Sequence, residues 1–441
     1  MTDFSRRQHL KQLGAMAGTA AMSGLSAPVF AADAEIPPEG IGKGIKHISY
    51  SDIGGRPDSV QVMFNKKHVY VGHMFSDGIT VLDASDPRDL KPVHFFTAGQ
   101  YTRTHHLQVS DDLLLAANGA NIVAMQSYDD MRGYFENNLA DSITKKKKFR
   151  SGLSIHDISK PGEMPEIAFL EMPGFGINRL WWPGGRYAYV SAHFDGFTDH
   201  ILCIVDLQNI TKPEIVSKWW LPGMNRAAGE PGLPKGKRVA LHHMITAGNR
   251  GYAAWRDGGF TIHDISDPSK PTLLSRLNWS PPFPGGTHTP LPLPKRGLAV
   301  VADEANAEKC AKGFFHTFIV DVRAPENPVP ISTLPTPTDR DFCTIGTFGP
   351  HNLHENRPGS FQSEDMIFAT YNTAGVRVFD IKDAFAPKEL AYWVPPTPKK
   401  LVDPRPNISL AAKTCDAYVT PEGLMYVSDW NAGMHVLEYK A

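Results

Sequence analysis

FTIHDISDPSKP, residues 260–271, decides the fold of this 441-residue chain. Its first four residues alternate between apolar and polar side chains, which is the period-2 pattern of a half-buried β-strand. Asp264 follows, and an aspartate there accepts hydrogen bonds from the backbone amides of the turn that it introduces. Pro268 and Pro271 then fix φ and remove donors, which suits the start of an outer edge strand. The stretch therefore ends a small sheet and discourages further pairing.

Related sequence occurs seven times along the chain, and each copy combines apolar strands, a tight turn and an aspartate followed by one or two prolines or the chain end. The copies begin near His68, Leu113, Tyr187, Gly251, Leu298, Met366 and Leu424. Internal similarity at roughly 40 to 80 residues, with four strand signals per unit, is typical of a β-propeller. The period-2 alternation excludes a solenoid of helices.

The repeats predict an all-β fold, a seven-bladed β-propeller with four-stranded antiparallel blades. Residues 45–52 form an isolated strand signal before the first copy, whereas the last copy stops at Tyr439 without its outer strand. We therefore expect the N-terminal strand to complete the seventh blade and close the ring, because closure removes a free sheet edge.

These units resemble the LVIVD-repeat family, in which a hydrophobic strand runs into the motif D-I-S-D-P-x-x-P. The resemblance covers nearly the whole chain after its first 31 residues and implies the propeller fold. The family spans many activities, so function has to be argued from the site.

Composition agrees with a single large domain over residues 32–441. The chain is 41% hydrophobic and contains 38 glycines and 36 prolines, which supplies a large core and many turns. The sequence also predicts a helical insertion in this domain near residues 124–150. The net charge of −1 gives no bulk attraction to nucleic acid, and no apolar run reaches the roughly 20 residues of a membrane span. Oligomeric state is not determined by these features.

The N-terminus predicts export. Arg6 and Arg7 precede a weakly apolar stretch rich in alanine and glycine, which ends in small residues at Ala31 and Ala32. This pattern indicates a twin-arginine signal peptide over residues 1–31, with the twin-arginine export machinery as a partner and the periplasm as destination.

Histidines recur at one position of the repeat. When the first strand of every unit is aligned by the turn that follows it, seven residues share one position: Ser59, His106, Arg179, His243, His288, His351 and Asp416. The first strand of a propeller blade lines the central channel, so we expect the four imidazoles to face one another and bind a metal. Neutral imidazoles suit copper, iron or zinc, and we favour copper or iron. If the alignment slips by one residue, the adjacent His105, His242 and His354 are the ligands instead.

Carboxylates are predicted on the same face of the disc. The loop after the second strand of each unit opens there, and it places Asp257, Asp303 and Glu304 as candidate catalytic groups or supports for the ligand histidines. Arg179 and Asp416 occupy the shared position and are expected to flank an open coordination position.

Four cysteines are present and none forms a C-x-x-C pair, which argues against a structural zinc site. Cys203 lies in an apolar strand and is expected to be buried. Cys310, Cys343 and Cys415 fall in loops of the histidine face, and one disulfide among them suits an oxidising compartment. The pairing is left open.

The function predicted from these features is a periplasmic, metal-dependent oxidoreductase that acts on a small organic substrate. Its architecture is similar to that of the selenium-binding, methanethiol oxidase-like propellers, which also gather histidines at a propeller mouth. A metal-dependent hydrolase or lyase, with metal-bound water as the nucleophile, is an alternative within the same class. The other alternative is a non-catalytic propeller that binds a ligand or protein, with Arg179 and Asp416 in its recognition surface.

Overall fold

A computed structural model describes residues 40–122 and 148–440. The predicted signal peptide and most of the predicted insertion near residues 124–150 lie outside the described residues. The described chain contains 29 strands and one short helix, α1 (Phe342–Ile345). None of its helices is long and apolar enough to cross a bilayer.

The strands follow one another along the whole described chain. In order they are β1 (Ile41–Lys43), β2 (Ile45–Ser51), β3 (Ser59–Asn65), β4 (His68–His73), β5 (Gly78–Asp83), β6 (Lys91–Thr97), β7 (Thr102–Arg103), β8 (Leu107–Ser110), β9 (Leu113–Ala120), β10 (Gly152–Asp157), β11 (Glu166–Glu171), β12 (Gly176–Trp181), β13 (Tyr187–His193), β14 (Ile201–Asp206), β15 (Glu214–Trp219), β16 (Val239–Ala247), β17 (Arg250–Arg256), β18 (Phe260–Asp264), β19 (Thr272–Leu277), β20 (Thr287–Leu293), β21 (Leu298–Asp303), β22 (Thr317–Asp321), β23 (Val329–Thr333), β24 (Met366–Thr370), β25 (Val376–Asp380), β26 (Lys388–Val394), β27 (Thr414–Val419), β28 (Leu424–Asp429) and β29 (Gly433–Tyr439).

Pairing is antiparallel and follows the repeats. β3 to β6 form one sheet in chain order, and β12 to β15 and β20 to β23 pair in the same way. At the N-terminus, β1 pairs with the outer strand β26, and β2 pairs with β29, the last strand of the described chain. The predicted all-β propeller class is therefore confirmed. The number of blades and the closure of the ring remain predictions.

The aspartate that ends the third strand of a unit organises the turn after it. In six units its carboxylate accepts a hydrogen bond from the backbone N–H two residues further on, at 2.7–3.0 Å: Asp83, Asp157, Asp206, Asp264, Asp321 and Asp380. These hydrogen bonds lower the pKa of Asp264, where the Ser266 side chain is the largest cause. The recurring aspartate of the sequence thus has a local structural role.

A buried polar network joins the second and third strands within a unit. Trp255 Nε1 donates to Thr261 Oγ1 at 2.7 Å, and that hydroxyl bonds His263 Nε2 at 2.8 Å. The unit before β12 repeats the arrangement with Asn118, Ser154 and His156. Polar residues at the end of a second strand can therefore be structural, because they bond within their own sheet.

Replacing Thr261 by valine should destabilise the protein by about 2 kcal/mol or more, because the indole N–H and the imidazole nitrogen both lose a buried partner. Urea unfolding measures the change. The matched control is Thr272→Val at an exposed position of β19, which should shift the free energy of unfolding by about 0.5 kcal/mol or less. Equal effects of the two variants would contradict a stabilising network.

Candidate metal centre

Three potential metal ligands meet on the predicted histidine face. His288 lies at the start of β20, Glu304 directly follows β21, and His351 lies in the segment before β24. Their ligand atoms all lie within 4.8 Å of one another. His288 Nε2 is 3.7 Å from Glu304 Oε2, and His351 Nε2 is 3.7 Å from Glu304 Oε1. Ligands at metal distances of about 2.0–2.2 Å are separated by roughly 3–3.5 Å, so a small contraction would suffice to hold one ion.

Both imidazoles are oriented through their Nδ1 atoms. His351 Nδ1 donates to the carbonyl oxygen of Cys415 at 2.5 Å, because a carbonyl can only accept. His288 Nδ1 contacts Thr289 Oγ1 at 2.9 Å. Because the proton of His351 lies on Nδ1, its Nε2 carries a free lone pair on the side of Glu304. A hydrogen bond from the other ring nitrogen is the usual way in which a protein orients a histidine ligand.

Burial keeps these histidines neutral. Desolvation lowers the pKa of His351 to about 3 and that of His288 well below its usual range. A neutral imidazole is the form that binds a metal.

Arg256 compensates the charge of Glu304. Its guanidinium donates to Glu304 Oε2 in an ion pair of largely buried side chains. Arg256 ends β17 with φ at +51°, a left-handed conformation that few non-glycine residues adopt. Arg256 adopts this conformation at the start of the turn that follows β17, and from there its guanidinium reaches the carboxylate of Glu304.

The other two predicted ligands, His106 and His243, form a separate pair. Their ring centroids lie 6.0 Å apart, against 4.6 Å for His288 and His351. Both nitrogens of His243 and Nε2 of His106 are buried without a hydrogen-bond partner in the part of the chain that the structure describes. Glu355 Oε1 is 3.6 Å from His243 Nε2. Within the described chain, His288, Glu304 and His351 are the only group of three potential ligands whose ligand atoms all lie within 4.8 Å of one another, and His106 and His243 are not part of it.

The neighbouring histidines support the face in other ways. His242 stacks on His288 with ring centroids 3.6 Å apart and donates from Nδ1 to the His288 carbonyl at 2.9 Å. His354 bonds the carbonyl of Phe361 through Nε2 at 2.9 Å. His105 is buried beside His106.

Two of the three carboxylates that were predicted in the loops after second strands lie away from the histidines. Asp303 is fully buried, accepts from Trp279 Nε1 at 3.0 Å, and has its pKa raised well above the usual range by burial. Asp257 accepts from the backbone N–H groups of Arg238 and Gly286 at 2.9 and 3.2 Å and so ties two loops together. Glu304 alone joins the histidines.

Arg179 and Asp416 lie in the central channel. Arg179 donates to Glu355 Oε1 at 3.0 Å and to Asn352 Oδ1 at 2.5 Å. Asp416 is 4% exposed, and burial raises its pKa to about 7. With Glu355 it lines a cavity of about 10 Å³, roughly the space of one water molecule.

Sequence reasoning missed Glu355 and Arg357, which lie just after His351. Arg357 donates to Gln108 Oε1 at 2.6 Å and to the carbonyl of Val109 at 2.8 Å. The available signal was the charged pair itself, in the segment that precedes β24. Both side chains are buried, and Arg357 Nη1 lies 3.8 Å from Glu355 Oε2.

A disulfide resolves the pairing that the sequence left open. Cys310 and Cys343 are bonded, whereas Cys203 and Cys415 are buried free thiols. The bond links the loop that follows Glu304 to the segment that precedes His351. In the same region Ala305 N–H donates to the Pro350 carbonyl at 3.0 Å. Two of the three potential ligands are therefore carried by covalently joined segments.

Comparison with known proteins supports the fold. Residues 245–278 match the LVIVD repeat, as the motif predicted. No curated protein sequence matches the chain. The β-propeller domain of Cps50 (Swd1) from Myceliophteria thermophila is similar in structure, with a TM-score of 0.54 at 11% identity over 87% of this chain and 97% of that one.

Two further structures align at lower scores. The computationally designed Ika8 protein has a TM-score of 0.47 at 11% identity, covering 90% of this chain and 100% of that one. A functionally unknown protein from Desulfotomaculum acetoxidans DSM 771 has a TM-score of 0.48 at 12% identity, covering 76% and 85%.

Asp416→Asn should flatten the pH dependence of stability. The folded-state pKa of Asp416, about 7, lies above the ordinary 3.8. Between these values the folded state keeps a proton that the unfolded state has lost, so stability falls as pH rises. Urea unfolding from about pH 5 to pH 7 should therefore show the variant gaining about 1 kcal/mol per pH unit relative to the parent.

The control for this series is Asp111→Asn on an exposed turn, where the difference from the parent should stay constant. A flat difference for Asp416→Asn as well would contradict the assigned protonation.

Proposed function

We propose that this protein is a metal-dependent oxidoreductase that acts on a small organic substrate at the mouth of a propeller. The observation that carries the proposal is the convergence of His288, Glu304 and His351, whose ligand atoms lie within 4.8 Å of one another. Two neutral imidazoles and one carboxylate hold a first-row metal and leave positions open for other ligands.

Iron is the metal that this ligand set fits best, with copper next. Two histidines and one carboxylate with open positions are typical of non-haem iron(II) oxygenases. When bound, such a metal would supply Lewis acidity and one-electron chemistry. Glu304 contributes the negative charge that an ion needs, while Arg256 keeps that carboxylate compensated when no ion is bound.

Side chains beneath the cluster would exclude solvent from below. The Arg179–Glu355 ion pair is buried, with side chains 3% and 6% exposed, so substrate would reach the cluster from the loop face. Asp416 carries a carboxyl whose pKa burial raises to about 7, and it can hold or release a proton near neutral pH.

A zinc hydrolase or lyase is the second candidate. Zinc is also bound by two histidines and a glutamate in catalytic sites, with water in the fourth position. The same three residues would serve, so the identity of the metal separates the two candidates.

The non-catalytic binding propeller is the weaker alternative. This alternative requires Arg179 and Asp416 to form a recognition surface. Arg179 is engaged by Glu355 and Asn352, and Asp416 is buried, so neither side chain presents a surface to a large partner.

We also infer that the repeats form seven blades, with β2 completing the last one. The pairing of β2 with β29 over residues 45–51 supports this closure. β1 pairs with β26 of the preceding unit, so the N-terminal segment would join two neighbouring blades.

Export to the periplasm is part of the proposal. It is supported by Arg6, Arg7 and the small residues at Ala31 and Ala32. The twin-arginine route carries folded proteins, which suits a metal inserted before export.

Elemental analysis of untagged protein should find about one equivalent of iron or copper. His288→Ala, His351→Ala and Glu304→Gln should each abolish the metal, because each removes one of the convergent ligands. His94→Ala, on the outer strand β6, is the matched control and should retain it.

His106→Ala and His243→Ala distinguish two arrangements. Retention of metal in both variants places the ion at His288, Glu304 and His351, whereas joint loss indicates one centre built by all four histidines. Protein without metal, and without uptake on reconstitution, would contradict the enzyme proposal, and zinc alone would favour the hydrolase or lyase.

Replacing Arg6 and Arg7 together by lysine should block export, because the paired arginines are the recognition feature. Cell fractionation should find the variant inside the cell with residues 1–31 retained, and the parent in the periplasm as the shorter form. Replacing Lys11 by arginine keeps the charge near the motif and should leave export intact. Unchanged processing of the double variant would contradict the twin-arginine assignment.

A further inference from the structure

Lys413 and Trp430 lie side by side next to the candidate metal centre. The backbone N–H of Trp430 donates to the backbone carbonyl of Lys413 at 3.0 Å, where the start of β27 meets the end of β28. Lys413 Nζ lies 3.7 Å from the centroid of the Trp430 ring. The Trp430 ring is in turn 6.4 Å from the His351 ring. A cation and an indole therefore border the metal centre on its His351 side.

Both side chains have donors without acceptors. Trp430 Nε1 is buried and has no hydrogen-bond partner within residues 40–122 and 148–440. Lys413 is partly buried and forms no side-chain hydrogen bond or ion pair in that part of the chain; its close contact is the face of Trp430. An ammonium has three donors and an indole one. Leaving the buried indole N–H unpaired is costly, so a ligand that supplies an acceptor would be favoured.

Three carboxylates interact electrostatically with Lys413, and each accepts hydrogen bonds from other groups. Asp429 accepts from the backbone N–H groups of Asn431 and Ala432 at 2.9 and 3.0 Å. Asp403 binds the guanidinium of Arg405. Glu308 accepts a hydrogen bond from Thr347 Oγ1 at 2.6 Å. Asp403 and Glu308 both raise the pKa of Lys413 by Coulomb attraction, but neither forms an ion pair with its ammonium. Burial lowers the pKa of Lys413 to about 8, which leaves it mostly charged at neutral pH.

We propose that Lys413 and Trp430 form an anion subsite that holds the carboxylate of the substrate beside His351. The ammonium supplies the charge, and the indole N–H donates to a carboxylate oxygen, which makes both hydrogen bonds charge-assisted. Trp430 also gives an apolar wall for the carbon skeleton. The substrate class is then a small organic acid.

This assignment of the anion as substrate rests on the proposed function, but the binding of an anion does not. Acetate can be tested with protein from which metal has been removed. Failure of the metal centre would appear in the elemental analysis, whereas failure of the subsite appears only in the acetate titration.

The experiment follows the indole N–H resonances of ¹⁵N-tryptophan-labelled, metal-free protein during titration with sodium acetate. Trp430→Phe identifies the resonance of Trp430. Sodium chloride at matched ionic strength and acetamide, the neutral isostere, serve as comparison titrants. We expect acetate to shift the Trp430 resonance saturably, and neither comparison titrant to do so.

Variants test the role of the charge. Lys413→Met should weaken acetate binding about tenfold or more, and Lys413→Arg should retain most of it. The matched control is Lys218→Met, because Lys218 Nζ lies 3.5 Å over the Phe194 ring on the outer strand β15, away from the centre. Thermal melting of each variant verifies its folding.

Two results would overturn the proposal. One is a Trp430 resonance that acetate does not shift, or that acetamide shifts equally. The other is a folded Lys413→Met variant that binds acetate as tightly as the parent.

Discussion

The centre of this molecule depends on the interactions of one buried carboxylate, that of Glu355, with the polar side chains around it. This carboxylate accepts from Arg179 at 3.0 Å and from Gln108 at 3.3 Å, and Arg357 Nη1 lies 3.8 Å away. A buried charge is tolerated only when partners and hydrogen bonds compensate it. These partners come from separate repeat units, so the charge network joins inner strands across the channel.

The same network shapes the electrostatics of the site. Glu355, Arg179 and Arg357 are all buried, and so are the imidazoles of His288 and His351. Desolvation keeps the imidazoles neutral, as the pKa of about 3 for His351 indicates. Glu304 is then the one carboxylate among His288 and His351, and Arg256 balances it. A metal cation and an anionic substrate would complement this arrangement of charges.

Several features of the site were predictable because they follow from local pattern. The recurring aspartate predicted the turn that the structure contains at Asp264. The shared position of the repeat picked out His288 and His351, and the loop after a second strand picked out Glu304. The pattern did not show which of Asp303 and Glu304 faces the histidines. Neighbouring residues of an extended chain point to opposite faces, so an error of one residue in the alignment exchanges the two. Asp303 turns to Trp279 and Glu304 turns to the histidines.

Local sequence patterns were sufficient to predict the all-β repeats, their turns and the face on which the histidines lie, because strand period and turn chemistry are local properties. Three-dimensional packing was needed to show that His288 and His351 converge with Glu304 without His106 and His243, and that Cys310 bonds Cys343. It also decided that Arg256 reaches Glu304. These contacts join segments that are distant in the chain, and their distances depend on how neighbouring sheets are twisted and packed, which no local pattern encodes.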